Sequence, residues 1–215
     1  AGYIGLEAAA VLSQLGIHLT VLERETRVLQ RVTGPQVSSY FTDLHRAHGV
    51  NIVCDAEVVA INGQQAVESV SCADGTVYKA DIVIVGIGVA AETRLAEDAG
   101  LRLENGIHVD EHCAGGAQMR LESVQNANDQ ARVAAANICG GSEVYQVTPW
   151  FWSDQFDIKL QSAGLSNDFD ETSLEGSLDP ADPQGFVIQY FRDGKLIAAD
   201  CVKQAKAFMA LKAKI

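Results

Sequence analysis

The sequence predicts an α/β fold followed by a small α+β domain, and three observations carry that prediction. An Ala-rich helix opening on Ala1-Gly2-Tyr3-Ile4-Gly5 runs into a short β-branched strand. An apolar run, Asp81-Ile82-Val83-Ile84-Val85, ends in Gly86-Ile87-Gly88. The last third carries strand candidates joined by an Asp193-Gly194 turn. Helix and buried strand in alternation imply a parallel sheet, whereas hairpin-linked strands imply an antiparallel one.

Gly2 and Gly5 fit the second and third glycines of G-x-G-x-x-G, whose first glycine and feeding strand lie before Ala1; the chain therefore reads as N-terminally truncated. In that motif the second glycine lets backbone approach a pyrophosphate, and the third lets helix and strand pack closely. The helix N-terminus adds free N–H groups and positive dipole. The predicted helix covers residues 5–15 and stops at Gly16; a strand follows over 17–22. It ends at Glu23, 18 residues after Gly5, near the offset at which a carboxylate accepts hydrogen bonds from an adenosine ribose. A carboxylate there repels a 2'-phosphate and favours NADH over NADPH, with the adjacent Arg24 moderating the preference.

Thr33-Gly34-Pro35 reads as a helix entry, and Val37, Tyr40, Phe41 and Leu44 recur at helical spacing until Gly49. His45 and His48 on that helix are expected at its surface, because no Cys or carboxylate partner for a metal is evident. Strands are predicted at 50–53, 58–61, 67–72 and 76–78, with Asn62-Gly63 and Asp74-Gly75 as hairpin signals, giving an antiparallel insertion. Residues 81–85 read as a buried parallel strand, 93–99 as a short helix, and 106–110 as a last strand. Farther on, a helix is predicted over 125–138. Strands follow at 156–163, 172–175, 186–191 and 195–202, and a final helix at 204–214.

Composition narrows the function. The 215 residues carry a formal net charge of −12, which argues against nucleic acid as a partner. No membrane span or signal pattern is evident, so a cytoplasmic location is expected. The five cysteines are scattered without a C-x-x-C pair, which disfavours thiol–disulfide chemistry.

The runs AGYIGLEAAAVLSQLGIHLTVLERE, DIVIVGIGVAAETRLAEDAGL, RLESVQNANDQARVAAANI and PWFWSDQ together resemble the FAD-dependent NADH:ferredoxin reductase family. Putidaredoxin reductase, rhodocoxin reductase and the reductase components of aromatic-ring dioxygenases belong to that family. The resemblance implies a Rossmann-like FAD/NAD(P)-binding domain with an antiparallel insertion, followed by a small α+β C-terminal reductase domain. It divides the chain into 1–110 for NADH, 111–140 as a remnant of the FAD-binding domain, and 141–215 as the C-terminal domain.

The implied reaction passes electrons from NADH through FAD to a 2Fe–2S ferredoxin serving an oxygenase or cytochrome P450. The cofactors carry that chemistry without a catalytic side chain. By the same resemblance, Gly2, Tyr3, Ile4, Gly5 and Glu7 line the pyrophosphate and nicotinamide side, Glu23 takes the ribose, and Gly88 lies near the nicotinamide. Val124 approaches the flavin ring and Trp152 belongs to a segment closing over it. The C-terminal domain is a candidate for homodimerisation.

Two departures from the family pattern stand beside these matches. The N-terminal FAD segment has no counterpart, and Val109-Asp110-Glu111-His112-Cys113 passes straight into Ala114-Gly115-Gly116-Ala117-Gln118 without the family's second FAD strand and its aspartate, as in an internally shortened chain. A flavin-free nucleotide-binding or interaction module is the alternative these departures leave open.

Overall fold

Helix α1, Tyr3–Gln14, forms because its apolar residues recur one turn apart: Leu6, Ala9 and Ala10 make its buried stripe. It ends in a Schellman motif, with Gly16 N–H bonded to Ser13 C=O at 2.9 Å and Ile17 N–H to Leu12 C=O at 3.2 Å. Gly16 has φ +77°, a conformation that glycine adopts without a Cβ penalty. The computed structural model that gives these details describes residues 1–113 and 120–215. The stretch from Ala114 to Gln118, where the shortening is expected, lies outside them.

The chain divides into two compact units, one made of Ala1–Gly88 and Trp152–Lys214, the other of Val89–Phe151 with the terminal Ile215. In the first, strand β1 (Thr20–Leu22) pairs in parallel with β2 (Asn51–Val53), Thr20 opposite Asn51. The crossover between them is α2, Pro35–Ala47. Val37, Ser38, Tyr40, Phe41, Leu44 and His45 form one buried stripe on α2. His45 is 0% exposed, so the surface position expected for it is wrong: it lies one turn from Phe41 and Leu44, on the apolar face.

Three antiparallel strands follow as expected: β3 (Val58–Asn62), β4 (Ser69–Cys72) and β5 (Val77–Lys79), in the order β3-β4-β5. Residues 81–85, expected as a buried strand, form none, and Ile82 and Ile84 are 80% and 60% exposed. Among the described residues no strand pairs with this run, and an extended apolar segment becomes a strand only through a ladder of backbone hydrogen bonds.

The same unit holds a five-stranded antiparallel sheet in the order β6-β7-β10-β9-β8. Its strands are β6 (Trp150–Gln155), β7 (Ile158–Gly164), β8 (Glu171–Gly176), β9 (Phe186–Arg192) and β10 (Lys195–Val202). The single strand expected at 156–163 is instead a hairpin arm, because Phe156 takes φ +57° and turns the chain between β6 and β7. Helix α5, Ala205–Lys212, closes the chain. Tyr40 of α2 meets Phe186 of β9 edge to face at 4.9 Å, joining the helix to this sheet.

The second unit contains α3 (Arg94–Asp98) and α4 (Val124–Ile138). Residues 106–110, expected as a strand, contribute isolated bridges at Ile107, opposite Leu103, and at Val109. A bend over 104–106 brings Leu103 and Ile107 together, and isolated bridges are too short to extend as a ladder.

A buried carboxylate fastens α2 to the sheet. Asp200 on β10 is 2% exposed and accepts hydrogen bonds from Ser162 Oγ and, at 2.7 Å, from Tyr190 Oη. Tyr190 Oη in turn accepts the backbone N–H of Gly34, the residue capping α2, at 3.1 Å. A Cβ at position 34 would stand 2.6 Å from that hydroxyl, so glycine is required by close approach. Burial lifts the Asp200 carboxyl to about 6 from its ordinary 3.8, although the Ser162 and Tyr190 hydrogen bonds act the other way.

Two tests follow from this clasp. Gly34→Ala is expected to lower stability by about 1–3 kcal/mol in denaturant unfolding, because the tyrosine is held and cannot yield. A carboxyl whose folded-state pKa is raised binds its proton more tightly when folded. The associated stability is therefore full below pH 3.8 and lost as pH rises through about 6. Denaturation midpoints between pH 4 and 7 should show a loss of up to about 3 kcal/mol from this group, and Asp200→Asn should flatten that part of the profile.

Candidate dinucleotide-binding site

Gly2 occupies the N-cap position of α1 in an extended conformation, with no side chain capping the helix. Glycine has no side chain to accept from the first-turn amides, so the N-cap itself leaves them to another acceptor. At α4 such a donor is engaged, Ser123 Oγ accepting Asn126 N–H at 3.1 Å, whereas α2, like α1, has no side-chain cap. A Cβ built on Gly2 or Gly5 meets nothing within 4 Å, so both glycines border open space. Close packing against Gly5 comes from another glycine, since a Cβ on Gly86 would lie 3.8 Å from Gly5 Cα. The Gly86-Ile87-Gly88 turn thus abuts the start of α1. Gly88 has φ +119°, and its Cβ position faces the Arg31 guanidinium at 3.7 Å.

Glu23 closes the other side of this loop. Its backbone is fixed by Glu23 N–H to Val53 C=O at 2.9 Å and Ala56 N–H to Glu23 C=O at 2.8 Å. One carboxylate oxygen accepts the Glu25 N–H at 3.0 Å and the other takes the Ala1 ammonium. Burial acts to raise the Glu23 pKa, but these donors together lower it, so the group is a carboxylate at neutral pH. Arg24 is exposed and paired with Glu25 at 2.9 Å. Arg27 stitches the following loop together, donating to Thr33 C=O at 2.8 Å, Ser38 Oγ at 2.6 Å and Gln30 C=O at 3.1 Å.

The structure brings Gly2, Gly5, Glu23 and Gly88 into one unit around the start of α1, with Tyr3 half-buried and Ile4 55% exposed. Glu7, one turn into the helix, accepts from Ser153 Oγ at 2.6 Å and from Asp154 N–H at 3.3 Å. Trp152, on β6 in the same unit, is 41% exposed. Val124 belongs to the other unit, as the first residue of α4, and is 63% exposed.

Sequence reasoning missed Ser153, Gln155, Tyr190 and Asp200, all at most 2% exposed. A signal existed for the first two: once 150–155 is read as a strand, both fall on one face, and polar residues on an inward face need partners. These residues fit one extended dinucleotide at α1. Among the described residues, the start of α1 carries two glycines that face open space.

Residues 1–131 match the family model described as pyridine nucleotide-disulphide oxidoreductase, and residues 150–215 match the reductase C-terminal model. The chain belongs to the pyridine nucleotide-disulphide oxidoreductase family. It is 44% identical, over 97% of its length, to the 5,5'-dehydrodivanillate O-demethylase ferredoxin reductase subunit of Sphingobium sp., covering 55% of that protein. It is 39% identical over 96% of its length to putidaredoxin reductase of Pseudomonas putida, covering 54% of it. The chain thus spans about half the length of the curated relatives it matches.

Among solved structures it resembles the ferredoxin reductase for the CYP199A2 system from Rhodopseudomonas palustris, with TM-score 0.89 and 37% identity over 97% of this chain and 56% of that one. The covalent putidaredoxin reductase–putidaredoxin complex matches with TM-score 0.87 and 37% identity, covering all of this chain and 57% of the other.

The ribose assignment has a direct test. Glu23→Ala should weaken NADH binding by about 1.5–3 kcal/mol, the worth of a hydrogen bond to a charged group, while NADPH is less affected. Equal losses for the two cofactors in parallel titrations would refute it.

Proposed function

We propose that this chain carries the NADH-binding and C-terminal parts of an oxidoreductase that passes electrons from NADH via FAD to a 2Fe–2S ferredoxin serving an oxygenase or cytochrome P450. The observation supporting this most strongly is the uncapped start of α1, bracketed by the Gly86–Gly88 turn and a carboxylate at the end of β1. Uncapped amides attract a pyrophosphate, and the carboxylate offers acceptors to ribose hydroxyls. In this reading Gly2, Tyr3, Ile4, Gly5 and Glu7 line the pyrophosphate and nicotinamide side, Glu23 takes the ribose, and Gly88 lies by the nicotinamide. Val124 and Trp152 face the flavin.

The functional division is 1–110 for NADH, 111–140 from the FAD-binding domain, and 141–215 as the C-terminal domain, a candidate for homodimerisation. When bound, NADH supplies a hydride and the flavin divides it into single electrons. The chain's own residues bind and orient. The run from Val109 to Gln118, which lacks the family's second FAD strand and its aspartate, favours a second reading, a flavin-free nucleotide-binding or interaction module.

Adding NADH and an artificial electron acceptor to the purified chain, with and without FAD, separates the two. FAD-dependent NADH oxidation is expected from the reductase. A colourless chain that binds NADH yet leaves it unoxidised with FAD present would support the module instead.

A further inference from the structure

A chain of polar side chains runs from the buried face of α2, through β6, to Glu7 on α1. His45 Nε2 lies 2.9 Å from Gln155 Oε1, Gln155 Nε2 lies 3.1 Å from Ser153 Oγ, and Ser153 Oγ lies 2.6 Å from Glu7 Oε1. His45, Gln155 and Ser153 are each 0% exposed. The contacts fix the direction of every bond. Ser153 has one hydroxyl proton, and a carboxylate oxygen at 2.6 Å requires it, since two oxygens that close without a proton repel. The serine oxygen can then accept from the Gln155 amide, and the Gln155 carbonyl can only accept, so His45 donates through Nε2.

The imidazole is consequently the neutral Nε2–H form, its Nδ1 buried without a partner among the described residues. Burial lowers its pKa and keeps it neutral, against a weaker opposite effect from the Gln155 bond. Every donor in the chain points towards Glu7. Together with the Asp154 N–H, it occupies Oε1, while Oε2 takes no hydrogen bond among the described residues.

We propose that Ser153 is a positioning residue for the Glu7 carboxylate at the nicotinamide end of bound NADH, with Gln155 and His45 fixing the direction of its hydroxyl. The inference rests on the reading of Gly2 to Glu7 as the dinucleotide helix. A carboxylate held by one oxygen presents the other at a fixed angle, and the carboxamide N–H of a nicotinamide is a donor suited to it. The adenosine half, which the proposed function assigns to Glu23, has no part in this chain. The device therefore acts on one end of the ligand only.

That asymmetry supplies the test. The full chain is titrated with NADH and with ADP-ribose, which lacks the nicotinamide. Ser153→Ala should weaken NADH about tenfold and leave ADP-ribose unchanged, Ser153→Thr should restore most of the loss, and Glu7→Gln should weaken NADH by a similar factor. The double substitution should lose little more than either single one, as expected for coupled residues. Should the alanine variant unfold, the near-isosteric Ser153→Cys, a weak donor, takes its place.

Equal weakening of both ligands would make Ser153 a structural residue and overturn the inference. So would unchanged NADH binding in Ser153→Ala alongside a loss in Glu7→Gln, an outcome that leaves the dinucleotide reading standing. If Glu7→Gln has no effect, or the unmodified chain binds neither ligand, that reading falls and the inference with it.

Discussion

The clasp of Asp200, Tyr190 and Gly34 is the constraint on which the first unit depends. It joins residues 156 positions apart in sequence through a single phenol, accepting from the cap of α2 and donating to the sheet. A carboxylate this deeply buried is costly unless its lone pairs are used, and here Ser162 and Tyr190 use them. Burial still dominates, which is why the carboxyl is pushed up to about 6 from its ordinary 3.8. The clasp is thus tight in geometry and conditional in charge.

Fixing the start of α2 fixes much else. The loop from Glu23 to Gly34 hangs between β1 and that helix, and Arg27 binds it to Thr33, Gln30 and Ser38. Leu29 N–H reaches back to Ala1 C=O at 3.0 Å, so the segment carrying Gly2 is tethered to the same loop. Farther along α2, His45 supports Gln155, and through Ser153 the support reaches Glu7. The C-terminal sheet therefore shapes the candidate site although Trp152 is its only member proposed to face a cofactor. Residues 1–88 and 152–214 fold as one body for this reason, while linear sequence divides them.

Much of this architecture is legible in the sequence wherever a local rule decides. Gly16 and Gly49 mark both helix stops because each accepts a positive φ and completes a Schellman motif. Asp193-Gly194 sets the β9–β10 hairpin, and the antiparallel insertion follows from Asp74-Gly75 and the alternation around it. The failures occur where partners decide. Residues 81–85 carry the composition of a buried strand and join no ladder among the described residues. Strand β6 was hidden because its turn uses Phe156 in the left-handed region, a position where no sequence rule expects a bulky aromatic. His45 was misplaced because its partner, Gln155, lies 110 residues away.

The two carboxylates at the site show why charge alone says little about it. A net charge of −12 opposes a pyrophosphate at long range, yet salt screens that repulsion beyond about 10 Å. What remains is local. Uncapped amides at α1 favour the phosphates, and each carboxylate is constrained by donors from the protein itself. One oxygen of Glu23 is held by the backbone N–H of Glu25, two residues on, and its own backbone by Val53 and Ala56 beside its strand. Glu7 is held by a side chain from another sheet, so its direction depends on tertiary structure. A substitution in the C-terminal sheet can therefore change how the nicotinamide end is read while leaving the ribose end untouched.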